Sequence, residues 1–406
     1  MRDAASSTAR LLIGGFLTLA IVMGIGRFHY TPLLPLMQNQ YGFGADIAGL
    51  IASANFAGYL AGSLLASLLA GGRRRVWAFR AAILASAATT LAMGLTDSLA
   101  AWLALRAAGG VASAVAMIPA AGLVAEALAR VGEEARVRWV FGGVGAGMAA
   151  SALMTRLAGG ALDASGLWIA AGLASALLAP VVLAEVGERR LAPRLRRSAR
   201  PRRVPRPLPF WPLFVNYTCQ GLGYSVFATF IVAMIKARPG YEALGDWVWV
   251  MAGLAGLPSC LFWAWTAERI GFASALLAAY VAQTVGVALP ALSDAGWAAL
   301  LAAAMFGGTF LGITVLTLPL GRHGLGGRGF ALLTAGFGVG QMLGPLLAGA
   351  FIAGPADHAA ALIASAGVLA LGTLFLVWAI AIGRSRPAGG AAAATNTEVT
   401  SRNGPH

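Results

Sequence analysis

Two arginines lie inside long apolar stretches of this 406-residue sequence, where a positive charge is costly. Arg27 lies well inside the first stretch, and Arg106 lies near the start of the fourth. An arginine at mid-depth in a bilayer costs about 2.5–3.5 kcal/mol, so it normally faces a cavity or a partner. All 15 acidic residues map to the ends of stretches, loops or tails. We therefore expect the counter-charge on a bound anion, since a guanidinium holds a carboxylate through two hydrogen bonds.

Other polar side chains in these stretches are candidates for orienting a small ligand. Tyr30 and Thr31 follow Arg27 by three and four residues and share its face of a helix. Asn55 on the second stretch and Gln341 on the eleventh are further candidates. The seventh stretch carries one stripe of hydrogen-bonding groups, formed by Tyr217, Gln220 and Tyr224. The alternative for each residue is a packing role between helices.

Two of the embedded residues have alternative interpretations that the sequence leaves open. Arg106 could bind the ligand, or it could bond main-chain carbonyls and fix the packing of helices. His29 lies about 200° around the helix from Arg27 at 100° per residue, and it is expected to face another helix. Histidine titrates near neutrality, so His29 is a candidate for proton coupling, with a packing role as the alternative.

The composition indicates which elements carry these residues. The sequence is 59% hydrophobic and 11% charged, with a mean hydropathy of +0.77, whereas a soluble domain is about 25% charged. A membrane-spanning helix needs about 20 apolar residues. The predicted fold class is therefore an all-α membrane protein with twelve transmembrane helices. We number these spans 1–12, at residues 11–37, 47–70, 76–96, 99–126, 138–160, 165–186, 210–236, 245–266, 272–292, 296–320, 329–353 and 358–383.

The net charge of +14 raises the question of nucleic-acid binding. The basic residues lie mainly in short segments between the spans, which is how membrane proteins record their orientation. Twenty-three of them fall on one side of the membrane, and only Arg156, Lys236 and Arg238 fall on the other. We expect a bacterial inner-membrane protein with both termini in the cytoplasm and no nucleic-acid partner.

A basic, proline-rich segment at 187–209 separates six spans from six. We interpret it as a solvated linker between a bundle at 1–186 and a bundle at 210–384, followed by a disordered tail at 385–406. The halves repeat each other in order. Gly24-Ile25-Gly26 recurs as Gly221-Leu222-Gly223, and the Gly-x-Gly-x-Gly of 143–147 recurs at 336–340. Pseudo-symmetric six-helix bundles of this kind build many secondary transporters.

The residues give little support to enzyme or cofactor chemistry. Cys219 and Cys260 lie in apolar stretches, and no metal-ligand spacing occurs. The two Gly-x-Gly-x-Gly motifs follow no predicted strand, so they predict close helix packing rather than a dinucleotide site. The sequence has no Walker motif and no Ser/His/Asp set. We expect no enzymatic activity, no metal and no cofactor.

Short motifs recur in the loops and in span 4. The loop between spans 2 and 3 ends with Gly72-Arg73-Arg74-Arg75, and the loop after span 8 reads Glu268-Arg269-Ile270-Gly271. Span 4 carries Arg106-Ala107-Ala108-Gly109-Gly110. With these motifs the chain resembles the major facilitator superfamily over residues 10–384, although Leu69 and Ala70 replace the Asp and Arg of its loop signature.

The block at 24–35, Gly-Ile-Gly-Arg-Phe-His-Tyr-Thr-Pro-Leu-Leu-Pro, is similar to the first-helix signature of the YbfB/YjiJ-type transporters. The resemblance implies the major facilitator fold and transport by alternating access. In that fold spans 1, 4, 7 and 10 line the central cavity, so Arg27 and Arg106 would approach one pocket. The implied gating loops would include Arg73, Arg74, Glu268 and Arg269.

These features favour a secondary active transporter for a small organic anion such as a carboxylate. We expect a monomer whose partners are a small-molecule substrate and the lipid bilayer. The alternative is proton-coupled efflux of lipophilic or cationic compounds, which would ordinarily need an embedded carboxylate. A third interpretation is a membrane sensor that does not transport, and it would need a larger cytoplasmic domain than 187–209.

Overall fold

The computed structural model describes residues 2–69, 72–187, 206–321, 326–354 and 357–385. Over these residues the chain forms twelve helical spans that are long and apolar enough to cross a membrane. The predicted fold class is therefore confirmed. The linker prediction at 187–209 lies outside the described residues except at 187 and 206–209, and the tail prediction at 385–406 lies outside them except at 385.

Span 1 consists of two α-helices, Arg2–Leu19 and Tyr30–Tyr41. Each later span has one main helix, and short 3₁₀ turns at Met93–Leu95 and Glu134–Val137 adjoin spans 3 and 5. The main helices of spans 2–12 are Ala45–Leu68, Gly72–Ala92, Leu99–Arg130, Arg138–Ala158, Ala164–Glu185, Phe210–Lys236, Glu242–Ile270, Phe272–Leu292, Gly296–Leu320, Gly326–Phe351 and Asp357–Ser385.

The interruption of span 1 has a cause in its local sequence. The first helix passes into a π-helix at Ala20–Ile25, and a turn at 26–29 precedes the second helix. Pro32 has no N–H to donate to the carbonyl of Phe28, four residues earlier, so the regular hydrogen-bond ladder is lost there. The sequence predicted the span at 11–37 but not this break, which falls directly at Arg27.

The Gly-x-Gly-x-Gly motif of span 5 packs on two helices at once. A Cβ atom on Gly147 would lie 2.7 Å from the Cα atom of Gly24 in span 1. A Cβ atom on Gly145 would lie 2.5 Å from the carbonyl oxygen of Gly253 in span 8. Real Cβ atoms do not approach so closely, so main chain packs against main chain on both faces.

The equivalent motif of span 11 also packs on two helices, with main chain on one face and a leucine side chain on the other. A Cβ atom on Gly340 would lie 2.8 Å from the main-chain nitrogen of Leu222 in span 7. A Cβ atom on Gly338 would lie 2.8 Å from the Cδ1 atom of Leu60 in span 2. In both motifs the last glycine packs within its own half, and the middle glycine packs on the other half.

The two halves meet mainly along three pairs of helices. Span 2 packs on span 11, span 5 packs on span 8, and the second helix of span 1 packs on span 7. In the last pair, the Thr31 hydroxyl donates to the carbonyl of Ala228 at 2.5 Å. Spans 1 and 7 therefore close against each other at the end of the bundle where span 1 finishes.

The glycine contacts give a stability prediction for Gly147→Ala. We expect this substitution to lower the free energy of unfolding by about 1–3 kcal/mol, because the methyl group has no space beside span 1. Gly367→Ala is the matched control, since no atom lies within 4 Å of a Cβ atom there. Thermal unfolding of the purified proteins in detergent measures both effects. Equal melting temperatures for the two variants would contradict the packing described.

Candidate functional site

Arg27 is held among aromatic rings at the break in span 1. Its side chain is 3% exposed. The guanidinium carbon lies 4.3 Å from the ring centre of Tyr59, 4.6 Å from that of Phe56 and 5.6 Å from that of Phe28. Cations are attracted to the faces of aromatic rings at these distances. The rings of spans 1 and 2 therefore stabilise the positive charge without neutralising it.

The hydrogen-bond donors of Arg27 are only partly used. Its Nη2 atom lies 3.5 Å from the hydroxyl oxygen of Tyr224 in span 7, and its Nε atom has no hydrogen-bond partner. Among the ion pairs of the described residues, none involves Arg27. The guanidinium thus faces the second half of the molecule with donors that remain free to bind.

The Tyr224 hydroxyl joins Arg27 to the second half. The hydroxyl oxygen accepts a hydrogen bond from the Nε2 atom of Gln341 in span 11. The same oxygen faces the Nη2 atom of Arg27. The Oε1 atom of Gln341 is buried and has no partner. Three residues that the sequence predicted from three separate spans, Arg27, Tyr224 and Gln341, are therefore brought together between the halves.

Arg106 holds the broken segment of span 1. Its Nη1 atom donates to the carbonyl of Gly26 at 3.1 Å, and its Nη2 atom donates to the carbonyl of Arg27 at 3.2 Å. The indole of Trp249, in span 8, donates to the carbonyl of Phe28 at 3.2 Å. Three consecutive carbonyls of the turn thus receive side-chain donors, and Arg106 directs both terminal nitrogens to main chain.

Three further residues predicted at the site donate to main-chain carbonyls. The Tyr30 hydroxyl donates at 3.0 Å and the Asn55 amide at 2.9 Å. The acceptors are Ala48 for Tyr30, Ala228 for Thr31 and Arg106 for Asn55. These bonds link span 1 to spans 2 and 7, and span 2 to span 4. The geometry suits residues that position the helices around Arg27.

His29 points away from Arg27, as the sequence predicted from its helical spacing. Its ring packs edge-on against Trp168 in span 6, with ring centres 5.1 Å apart, and it lies near the carbonyl of Leu167. This environment is a packing contact within the first half. A role of His29 in proton coupling stays a prediction.

Tyr217 and Gln220 make their contacts with residues of the second half. Tyr217 stacks on Phe337, with ring centres 4.5 Å apart. The Gln220 amide donates to the Oε1 atom of Gln283 in span 9 at 3.0 Å, and the Thr309 hydroxyl donates to the same oxygen at 3.2 Å. Gln220 therefore belongs to an amide network inside the second half, whereas Tyr217 joins the aromatic rings next to Tyr224.

The residues expected at the gating loops lie at the opposite end from the contact of Thr31. Glu268 accepts two hydrogen bonds from the guanidinium of Arg138, at 3.1 and 3.2 Å, so it links span 8 to span 5 across the halves. Arg269 lies over the ring of Trp265 at 3.9 Å. Arg73 and Arg74 are exposed to solvent.

Sequence reasoning missed several residues that surround Arg27 or hold its turn. Phe56 and Trp249 are apolar aromatic residues in apolar spans, so nothing in their spacing sets them apart. In the sequence Arg138 indicates only the membrane orientation, and nothing there shows that it pairs with Glu268. The available signal was Pro32, whose missing N–H removes the usual helical donor to the carbonyl of Phe28.

The different surroundings of the two buried arginines predict opposite effects of removing them. Arg106→Leu leaves two buried carbonyls without donors, at about 1–3 kcal/mol each, so we expect the unfolding free energy to fall by about 2–6 kcal/mol. Arg27→Leu removes a buried charge that has no ion-pair partner, so we expect unchanged or higher stability without ligand. Thermal unfolding in detergent compares them. A larger loss for Arg27→Leu than for Arg106→Leu would refute this division of roles.

Solved structures share this architecture. A mutant of the nucleoside transporter NupG aligns with a TM-score of 0.71 and 13% identity, covering 91% of this chain and 99% of that chain. A bacterial homolog of the human lysosomal transporter Spinster, in an inward-facing and unoccupied conformation, aligns with a TM-score of 0.61 and 16% identity, covering 93% and 96%. At these identities the similarity shows the fold. No curated protein sequence matches the chain significantly.

The sequence model of one family matches most of the chain. That family is described as the uncharacterised MFS-type transporter YbfB, and its model matches residues 19–377. The match confirms the resemblance that was drawn from the motifs of spans 1 and 4 and their loops. It also confirms the expectation that the protein is a membrane transporter and no enzyme. The chain belongs to the YbfB family of transporters within the major facilitator superfamily.

Proposed function

We propose that this transporter moves a small organic anion, in the simplest case a carboxylate, and that Arg27 binds its charge. The observation that carries the proposal is the buried guanidinium of Arg27, which has free donors and no carboxylate partner among the described residues. A buried charge is ordinarily paired. An incoming anion would supply the missing partner.

The aromatic contacts of Arg27 favour this chemistry. Phe56 and Tyr59 contact the guanidinium through their ring faces, and a planar cation stacked in this way keeps the N–H groups along its edge available. A carboxylate accepts two parallel hydrogen bonds from that edge. A cationic substrate would be repelled by the same group. The geometry therefore favours an organic anion over the efflux of cations.

Support for alternating access comes from contacts that join the halves at both ends. At one end the Thr31 hydroxyl of span 1 donates to a carbonyl of span 7. At the same end the carboxylate of Asp246 in span 8 lies 2.6 Å from Lys236 of its own half and 3.8 Å from Arg156 of the first half. At the opposite end, Arg138 pairs with Glu268. Rocking of the halves would separate one set while keeping the other, which suits exposure of a central site to each side in turn.

We also propose a bacterial inner membrane as the location, with both termini in the cytoplasm. The support is the excess of arginines on the side where the chain begins and ends. On this orientation, the contact of Thr31 with span 7 closes the periplasmic side, and the pair of Arg138 and Glu268 lies on the cytoplasmic side.

The proposal predicts that small acids bind through Arg27. In a thermal-shift screen of purified protein against small carboxylic acids, amines and neutral solutes, we expect only acids to raise the melting temperature. Arg27→Leu should weaken the binding of an active acid at least about thirtyfold, because truncating one partner of a buried charge pair costs about 2–5 kcal/mol. Arg27→Lys should restore part of it.

The matched control for this experiment is Arg80→Leu. Arg80 is an exposed arginine of span 3 that lies beside Trp77, so its loss should leave acid binding unchanged. Uptake or export of the active acid by protein in liposomes provides the second readout. Unaltered transport by Arg27→Leu, or stabilisation by amines in place of acids, would end the assignment.

Alternating access predicts opposite changes in thiol accessibility at the two ends of span 7. Ala228→Cys places a thiol at a position that is 2% exposed, next to Thr31, and Phe214→Cys places one at the half-buried opposite end. Both cysteine substitutions are made in a protein that also carries Cys219→Ala and Cys260→Ala, so that each variant has a single thiol. We expect an active acid to raise maleimide labelling at one position and lower it at the other. Parallel changes at both would contradict a rocking movement.

A further inference from the structure

Five aromatic rings of the second half stand nearly parallel, and one of them, Tyr224, contacts Arg27. Tyr224 lies within 13° of parallel to Phe306, Phe310 and Phe337, with ring centres 5.6–6.2 Å apart. Tyr217 continues the series on the far side of Phe337, at 4.5 Å and 16°. These rings come from spans 7, 10 and 11. They form one set with a common orientation, which we call the ring stack.

The orientation of the ring stack differs from that of the other aromatic contacts near the break in span 1. Phe28 meets Phe310 at 80°, and His29 meets Trp168 at 89°. Aromatic rings pair in either arrangement, and a ring whose face becomes uncovered can accept another flat ring in the offset-stacked one. A planar ligand can extend such a stack when the halves separate, but a puckered ring of the same size cannot.

The ring stack and the guanidinium lie on opposite halves and meet at one point. The Tyr224 hydroxyl, at the edge of its ring, lies 3.5 Å from the Nη2 atom of Arg27. A ring that stacks on Tyr224 therefore has its own edge near the guanidinium. A carboxylate attached directly to such a ring lies in the ring plane and can reach the donors of Arg27.

We infer that the substrate is a planar aromatic carboxylate. Its carboxylate pairs with Arg27 of the first half, and its ring stacks on Tyr224 of the second half. The inference rests on the proposed function and narrows it to a substrate class. It also gives the ligand one contact on each half, so binding favours the relative position of the two bundles in which both contacts form.

The test compares two acids of nearly equal size, benzoate and cyclohexanecarboxylate, by isothermal titration calorimetry on the purified full-length protein. Both carry one carboxylate, and only benzoate carries a flat ring. We expect benzoate to bind about two- to tenfold more tightly, which is the factor that one aromatic stacking contact contributes. Phe337→Leu removes a ring that packs parallel to Tyr224 and holds its orientation, so it should lower this preference while both acids still bind.

Phe375→Leu is the matched control for that variant. Phe375 contacts Trp378 within span 12, away from the ring stack, so its loss should keep the preference for benzoate. Melting temperatures without ligand show that each variant is folded. A loss of preference in Phe375→Leu as well would remove the assignment of the effect to the ring stack.

The outcomes separate the inference from the proposed function. Equal affinities for the two acids, or tighter binding of cyclohexanecarboxylate, would overturn the aromatic substrate class and leave the anion proposal intact. Binding of benzoate that is unchanged in Arg27→Leu would overturn the proposed function. Absence of binding by both acids, together with binding of benzylamine, would overturn both.

Discussion

The geometry of the candidate site depends on how the main-chain carbonyls of the span 1 break are satisfied. Non-helical backbone at mid-depth in a bilayer persists only where protein or water supplies the missing donors. Arg106 serves the carbonyls of Gly26 and Arg27, and Trp249 reaches the carbonyl of Phe28 from the other half. The two buried arginines thus have separate tasks, since one fixes the backbone and the other keeps free donors.

The surroundings of Arg27 show how a charge can be buried and still remain able to bind. A carboxylate beside Arg27, in place of these rings, would also lower the energy of the cation. It would, however, compete with any anionic ligand for the N–H groups. The faces of Phe56 and Tyr59 stabilise the charge without occupying its N–H groups. The Tyr224 hydroxyl then connects this group to the second half, so the site includes both bundles from the start.

Much of the fold and part of the site were predictable from the sequence. Twelve apolar stretches determine twelve helices, because backbone groups in a bilayer must bond within the segment. Arg27 stood out because a charge is anomalous in an apolar stretch. Phe56 and Trp249 did not, because aromatic residues are ordinary there and only tertiary packing brings them to Arg27. The role of Arg106 stayed open because its partners are carbonyls of the turn at 26–29, a break that spacing alone did not reveal.

The main-chain contact between the halves at Gly145 has a consequence for the rate of conformational change. Side chains that interlock must leave their rotamer wells before two helices can slide, and each such step adds to an energy barrier. Main chain lying on main chain has no torsions of this kind to unlock, so small shear movements meet little resistance. The barrier between conformations then resides in a few polar contacts, such as the pair of Arg138 and Glu268, and substitutions there would tune the turnover rate.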